Sequence, residues 1–379
     1  MTTQLSLLNL TGLSVASDTL ATLRNGSAFK VSHGNSKIFT PSGDHKFVVY
    51  HSGSSAMNNV PSRLIVDAWF KTLTKPLPTI DAYVANYKKF LESGKAPHTK
   101  RSEREVALAL GADMVDLTRE NINKTNVSPQ DSKAWNEALI AEAKEALAFY
   151  KSAPQLKGWS EESSKEILQR LKVNLTSQLK LTYPEGYPAR FATLLFKAFC
   201  LRLGAGERNN WDSYLTFAGY GTNDLFPQSR RLFIRGVIDG KLQSDVDHEV
   251  KIEAEGQSMG IVYGAQSDAI YGLVQGYRKV VESHVHNTIT SLMPELPEIE
   301  NLANDVVKGM QTITGKDYVS PAFRRIANLS LSELAETAKD MVNLQILSAK
   351  LSNSSETVGG EIEYLTIDKI NGITWQNRI

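Results

Sequence analysis

Through the first fifty residues, apolar and small polar positions roughly alternate, the period of a half-buried strand. Thr3 to Asn9 and Leu13 to Ser17 carry the alternation on either side of Leu10-Thr11-Gly12, and a hairpin is the simplest reading. Ser36 to Thr40 and Lys46 to His51 form a second pair, separated by the turn residues Pro41-Ser42-Gly43-Asp44. After Ser52-Gly53-Ser54-Ser55 the period changes. Pro61 suits the first turn of a helix with Leu64, Ile65, Ala68, Trp69 and Leu73 as its apolar residues. From about Pro76 to Asn209 nearly everything reads helical. One helix opens at Ser128-Pro129 and aligns Trp135, Leu139, Ala143, Leu147 and Tyr150. Ser160 caps the next, with Glu161 and Glu162 at the positive end of the helix dipole. Pro188 to Leu203 is apolar round most of its circumference, as expected of the buried centre of a helical section.

Strands return at Ser213 to Tyr220, Arg231 to Ile238 and Glu249 to Glu255, with Asp239-Gly240 as a hairpin turn. A helix is expected from Ser267 to Ser283, and more helix to about Leu351, interrupted near Pro294, Pro297 and Pro321. Glu361 to Ile370 then pairs with Ile373 to Asn377 across Asn371-Gly372, the strongest two-residue hairpin signal. Strands and helices segregate along the chain. That argues for a layered α+β fold and against a doubly wound parallel sheet.

Composition narrows the function classes. Among 379 residues, 42 Lys and Arg face 41 Asp and Glu, so a net charge of +1 gives no broad basic field for nucleic acid. Cys200 is the only cysteine and lies in the apolar run Phe196 to Leu201, as a buried structural thiol would. Met1-Thr2-Thr3-Gln4 lacks a signal-peptide pattern, and no apolar run is long enough to span a bilayer. A cytoplasmic protein with no membrane partner is expected. His284-Val285-His286 points its rings apart on a helix, so no metal site is expected. Gly219-Tyr220-Gly221 lacks the third glycine of a dinucleotide fingerprint.

The chemistry concentrates at the start. A small residue such as Thr2 after Met1 generally permits removal of the methionine. Thr2 would then carry a nucleophile and a base together, its hydroxyl and its own α-amine, whose ordinary pKa is about 7.7–8.0. With Thr2-Thr3, Gly12, and Ser17-Asp18-Thr19-Leu20-Ala21-Thr22, the chain resembles the proteasome β-type branch of the N-terminal-nucleophile (Ntn) hydrolases. The spacing of Thr2 and Asp18 matches that family. Lys37 in Ser36-Lys37-Ile38-Phe39 fits its lysine, and Gly53 in His51-Ser52-Gly53-Ser54-Ser55-Ala56 fits its oxyanion glycine. Phe217 to Gly221, Arg231 to Gly240, and Thr357-Val358-Gly359-Gly360-Glu361 resemble later family segments.

The resemblance covers about residues 2–75, 211–283 and 357–376. It implies a four-layer αββα sandwich, with an Ntn-hydrolase-like domain in 1–75 and 210–379 and a helical insertion over 76–209. Carried over, Thr2 is the nucleophile, Lys37 lowers the pKa of its hydroxyl, Asp18 pairs with Lys37, and the Gly53 amide stabilises the oxyanion. Thr22 and Ser55 align an extended peptide, while Ala21, Asn35 and His51 line the first specificity pocket. No cofactor is required, the substrate is a peptide or small amide, and self-association is expected. The sequence departs from the family at four places. Ser355 stands for an Asp, Val358 and Ala265 for serines, and Leu20 for an Arg common in many members. Two functions remain open: a threonine-type amidohydrolase, or a catalytically inactive protein of the same fold with a structural or assembly role.

Overall fold

The computed structural model describes residues 2–25, 28–32, 34–208, 212–292, 296, 298–352 and 358–378; at 21–25 and 28–31 only the backbone is described. Strands β1 (Thr3–Asn9) and β2 (Gly12–Asp18) form the expected hairpin, with Leu8 opposite Leu13. Asn9 Oδ1 closes its turn by accepting the Thr11 N–H at 2.9 Å and hydroxyl at 2.6 Å. The next hairpin, β3 (Ala21–Asn25) with β4 (Ala28–Ser32), was not foreseen. Strands β5 (Ile38–Phe39) and β6 (Lys46–Gly53) are the second expected pair, and β7 (Ala56–Met57) and β8 (Val60–Pro61) lead into α1 (Ser62–Phe70).

Five helices follow: α2 (Ile80–Glu92), α3 (Lys100–Lys124), α4 (Ser132–Ser152), α5 (Glu161–Thr182) and α6 (Ala189–Gly204). The start expected at Ser128-Pro129 lies at Ser132 instead, because Asp131 Oδ1 accepts the Ala134 N–H and supplies the cap. Ser160 caps α5 as expected. Strands β9 (Ser213–Tyr220), β10 (Gln228–Ile238), β11 (Lys241–Lys251) and β12 (Met259–Ala265) come next. The third of the expected strands thus begins eight residues early. The tight Asp239-Gly240 turn starts the β10–β11 ladder at once, with Ile238 opposite Lys241.

The helix expected over Ser267 to Ser283 is two helices, α7 (Asp268–Gln275) and α8 (Lys279–Leu292). Gly276 separates them at φ +82°, a left-handed conformation that ends a helix. Then come α9 (Ile299–Thr314), a π-helical turn at Gly315–Val319, α10 (Ser320–Ala327), α11 (Leu331–Lys350), and the final hairpin of β13 (Ile362–Asp368) with β14 (Gly372–Asn377).

The larger strands form two antiparallel sheets, ordered β12-β1-β2-β13-β14 and β11-β10-β9-β6-β5. Alternation along β1 and β2 sorts side chains to two sides. Leu5, Leu7 and Ala16 pack with Ile270 and Val274 of α7 and Leu334, Ala338 and Val342 of α11. Leu8, Leu13 and Val15 pack with Val48, Tyr50 and Ala218 of the other sheet. That second sheet turns Phe47, Val49 and Phe217 toward Trp69 of α1 and Tyr83 and Tyr87 of α2. Each fully buried side chain of this size contributes about 1.5–3 kcal/mol. Helices α3 to α6 hold a core of their own, including Leu110, Leu139, Leu171, Phe191 and Phe199, which Ile238 of β10 joins. No helix among the described residues is long and apolar enough to cross a membrane.

Candidate functional site

Asp18 ends β2, which is paired on both sides by β1 and β13, so the backbone beneath its carboxylate is fixed. Its Oδ1 accepts the Thr3 N–H at 2.9 Å and Lys37 Nζ at 2.6 Å, and its Oδ2 accepts the Gly359 N–H at 3.1 Å. Lys37 Nζ also donates to the Leu20 carbonyl at 2.7 Å. Asp18 is fully buried and Lys37 only 7% exposed. Burial raises the carboxyl pKa of Asp18 above its usual value, opposed by the Lys37 charge. Burial likewise lowers the Lys37 ammonium pKa, opposed by Asp18 and then by Glu363. A buried ion pair costs desolvation, which three bonds to one carboxylate partly offset. Such pairs with shifted titration concentrate at functional sites.

The peptide unit joining Thr2 to Thr3 is clamped at both polar atoms. Its N–H binds Asp18, and its C=O accepts the Gln266 N–H at 2.9 Å, one step beyond the β1–β12 ladder. Thr2 is thereby buried beside the carboxylate oxygen that also receives Lys37.

Two further expected residues attach to this group. The His51 N–H donates to the Lys37 carbonyl at 3.1 Å, and the His51 carbonyl accepts Gln4 Nε2 at 2.7 Å. The His51 ring donates through Nε2 to the Ser54 carbonyl, and burial lowers its pKa to about 4. The Asn35 N–H donates to the Thr19 carbonyl at 3.0 Å, and its side-chain amide donates to Ser32.

Gly53 ends β6 at φ +80°, and Ser55 is exposed in the turn that follows. No hydrogen bond among the described residues joins either of them to Asp18 or Lys37. The side chains of Ala21 and Thr22 lie outside the described residues; their backbones pair with Ser32 and Val31. Ser355 also lies outside them. Val358 is fully buried, and Ala265 stands opposite Thr3.

Sequence reading passed over Gln4, which ties β1 to β6, and Glu363, which is fully buried and attracts Lys37 electrostatically. A signal for Glu363 existed. It shares the period-2 face of Leu365 and Ile367, where an acid interrupts an apolar row. Cys200 is buried, and its thiol is pushed up to about 11 by that burial. Among the described residues, no three His, Cys, Asp or Glu side chains gather as a metal site would need.

No family model and no curated protein matches the chain. Among solved structures, it is similar to an Anbu (Gly-1) mutant from Hyphomicrobium sp. strain MC1, over 100% of this chain and 86% of that one, at 11% identity and a TM-score of 0.30. A likeness that distant carries none of the geometry above, which rests on the chain's own residues.

Proposed function

We propose that this protein is a threonine amidohydrolase of the proteasome β-like type, built as a four-layer αββα sandwich with a helical insertion over 76–209. The observation that carries the reading is the convergence of the Thr3 N–H and Lys37 Nζ on one buried oxygen of Asp18, one peptide from Thr2.

The reaction requires Met1 to be removed. The neutral α-amine of Thr2 then takes the proton of its hydroxyl as Oγ1 attacks the substrate carbonyl. Lys37 stabilises the developing alkoxide, and Asp18 holds Lys37. The Gly53 N–H stabilises the tetrahedral oxyanion, a contribution of about 3 kcal/mol to the barrier. Collapse breaks the C–N bond. The leaving amine takes the proton back from the α-ammonium, and an ester remains on Thr2. Water, deprotonated by the same amine, hydrolyses that ester and frees the hydroxyl. Ser55 and Thr22 align an extended substrate as an added strand, with Ala21, Asn35 and His51 around its first side chain.

Intact mass and a threonine-directed electrophile test this. The mature protein should lack Met1, and the wild type should be labelled where Thr2→Ala is not. Lys37→Ala should fold and remain unlabelled. Labelling that persists in Thr2→Ala eliminates this nucleophile. A second reading, a non-catalytic structural or assembly protein of the same fold, is favoured by Ala265 and the buried Val358, where the family has serines. Retention of Met1 in protein purified from its own cells would support it.

A further inference from the structure

The turn that carries Gly53 is fastened to the insertion by a buried ionic strut. Asp212 enters β9 directly behind that turn, and its carbonyl accepts the Ser54 N–H at 3.1 Å. Gly53 lies so close that a Cβ would meet the same carbonyl at 2.4 Å. Ser213 Oγ donates to the Ser54 carbonyl at 2.8 Å, so both polar backbone groups of Ser54 are held from this strand.

Asp212 is held in turn. Its carboxylate faces the Arg235 guanidinium at 3.6 Å, with both side chains fully enclosed. Arg235 falls at the register shift between Ile234 and Gly236 in the β10–β11 ladder, where a bulge can re-aim a side chain. Its other nitrogens donate to the Ala205 carbonyl at 3.2 Å and the Glu207 carbonyl at 2.6 Å, just past the end of α6. Glu207 binds Arg202 of α6 at 3.0 Å, and Arg202 reaches back to the Leu110 carbonyl of α3 at 2.8 Å. The chain of contacts runs from α3 and α6 to the Ser54 amide through the buried residues Arg202, Ala205, Arg235 and Asp212, with Glu207 half-buried beside them.

We infer that Asp212 and Arg235 are positioning residues, which transmit the placement of the insertion to the Gly53–Ser54 turn and so set its alignment with the Thr2 end of β1. Without the guanidinium fork, Asp212 loses its tie to the end of α6, and the backbone beside it loses that restraint. The Ser54 hydrogen bond depends on that same backbone. The catalytic consequence rests on the proposed hydrolase reading; the mechanical coupling does not.

Amide hydrogen exchange on the full chain tests the coupling. The variants are Arg235→Lys, which keeps the charge and loses the fork, and the double variant Asp212→Asn/Arg235→Met, which leaves no orphaned charge if the single change fails to fold. Arg170→Met serves as control. It removes an exposed contact between α5 and Asp239, in the turn that follows β10. Exchange at Ser54 should rise at least tenfold in the strut variants and stay at the wild-type rate in the control, with the β1 amides unchanged in all three. Labelling by the electrophile should slow at saturation in the strut variants, with its half-saturating concentration little altered. Wild-type protection of Ser54 in both strut variants overturns the inference. A wild type that takes no label refutes the hydrolase reading instead, and the exchange data still decide the coupling.

Discussion

Glu363 stands opposite Ser17 in the β2–β13 ladder, one position from the pairing of Ile362 with Asp18. Leu365 and Ile367, on the same face, enter the apolar cluster between the sheets, so Glu363 is an acid turned into that interior. Two buried carboxylates therefore act on one buried ammonium: Asp18 by direct contact and Glu363 through space. Burial disfavours the charged form of Lys37, and both acids favour it. The protonation of Lys37 is set by this opposition and not by Asp18 alone.

Glu363→Gln should consequently lower the pKa of Lys37 further, since it removes one of the charges that raise it. A pH titration of the Lys37 Nζ resonance in wild type and variant measures this directly. A midpoint that stays put or moves upward would show that Glu363 does not act on Lys37.

Asp18→Asn leaves Lys37 buried without its contacting counter-charge. Removing one partner of a buried pair costs about 3–5 kcal/mol, and denaturant unfolding should show a loss of that order. The double variant Asp18→Asn/Lys37→Met should recover most of the stability and none of the labelling. If the single variant unfolds within about 1 kcal/mol of wild type, the pair is not desolvated as described.

The legible parts of the fold were those with local chemistry. Asn371-Gly372, Asp239-Gly240 and the alternation around Leu10-Thr11-Gly12 each specify a hairpin within a few residues, and each forms. Strand β12 was missed because Gly260 and Gly264 interrupt its apolar pattern, and the β3–β4 hairpin because Asn25 and its neighbours look like loop. At the site, Asp18 stood out only through a spacing from Thr2 shared with a family that the sequence resembles, and Lys37 only through its place at the start of a strand, as in that family. The bond from Gln4 to His51 joins residues 47 positions apart, and nothing in a strand's alternation marks a glutamine as a tether. Arg235 and Asp212 read as ordinary strand charges until the sheet and the end of α6 meet.

His51 makes stability depend on pH. Its ordinary pKa of 6.5 falls to about 4 in the folded state, chiefly because the ring is buried. Above pH 6.5 the ring is neutral in both states, and its contribution is fully present. As pH falls from 6.5 toward 4, the unfolded chain takes a proton that the folded chain refuses, and stability drops by about 1.4 kcal/mol per unit, for a total of about 3 kcal/mol. Denaturation midpoints of wild type and His51→Gln across pH 7 to 4 check this. The difference between the two profiles should change by that amount, and parallel profiles would refute the assignment.

Gly53 carries a conformational demand that no other residue type meets cheaply. Its φ of +80° lies in the left-handed region, and an added methyl would sit 2.4 Å from the Asp212 carbonyl oxygen. Neither obstacle yields easily, because that carbonyl is fixed by its bond from Ser54 and by the strand it opens. Gly53→Ala should cost about 1–3 kcal/mol from backbone strain alone, and more once the contact is relieved by displacing the turn. Displacement breaks the Ser54 to Asp212 bond, so exchange at Ser54 rises together with the loss of stability. In the proposed reaction the same shift moves the Gly53 N–H away from the oxyanion, and labelling should fall far more than unfolding stability does. A Gly53→Ala protein with wild-type Ser54 protection and wild-type labelling would remove this glycine from the site.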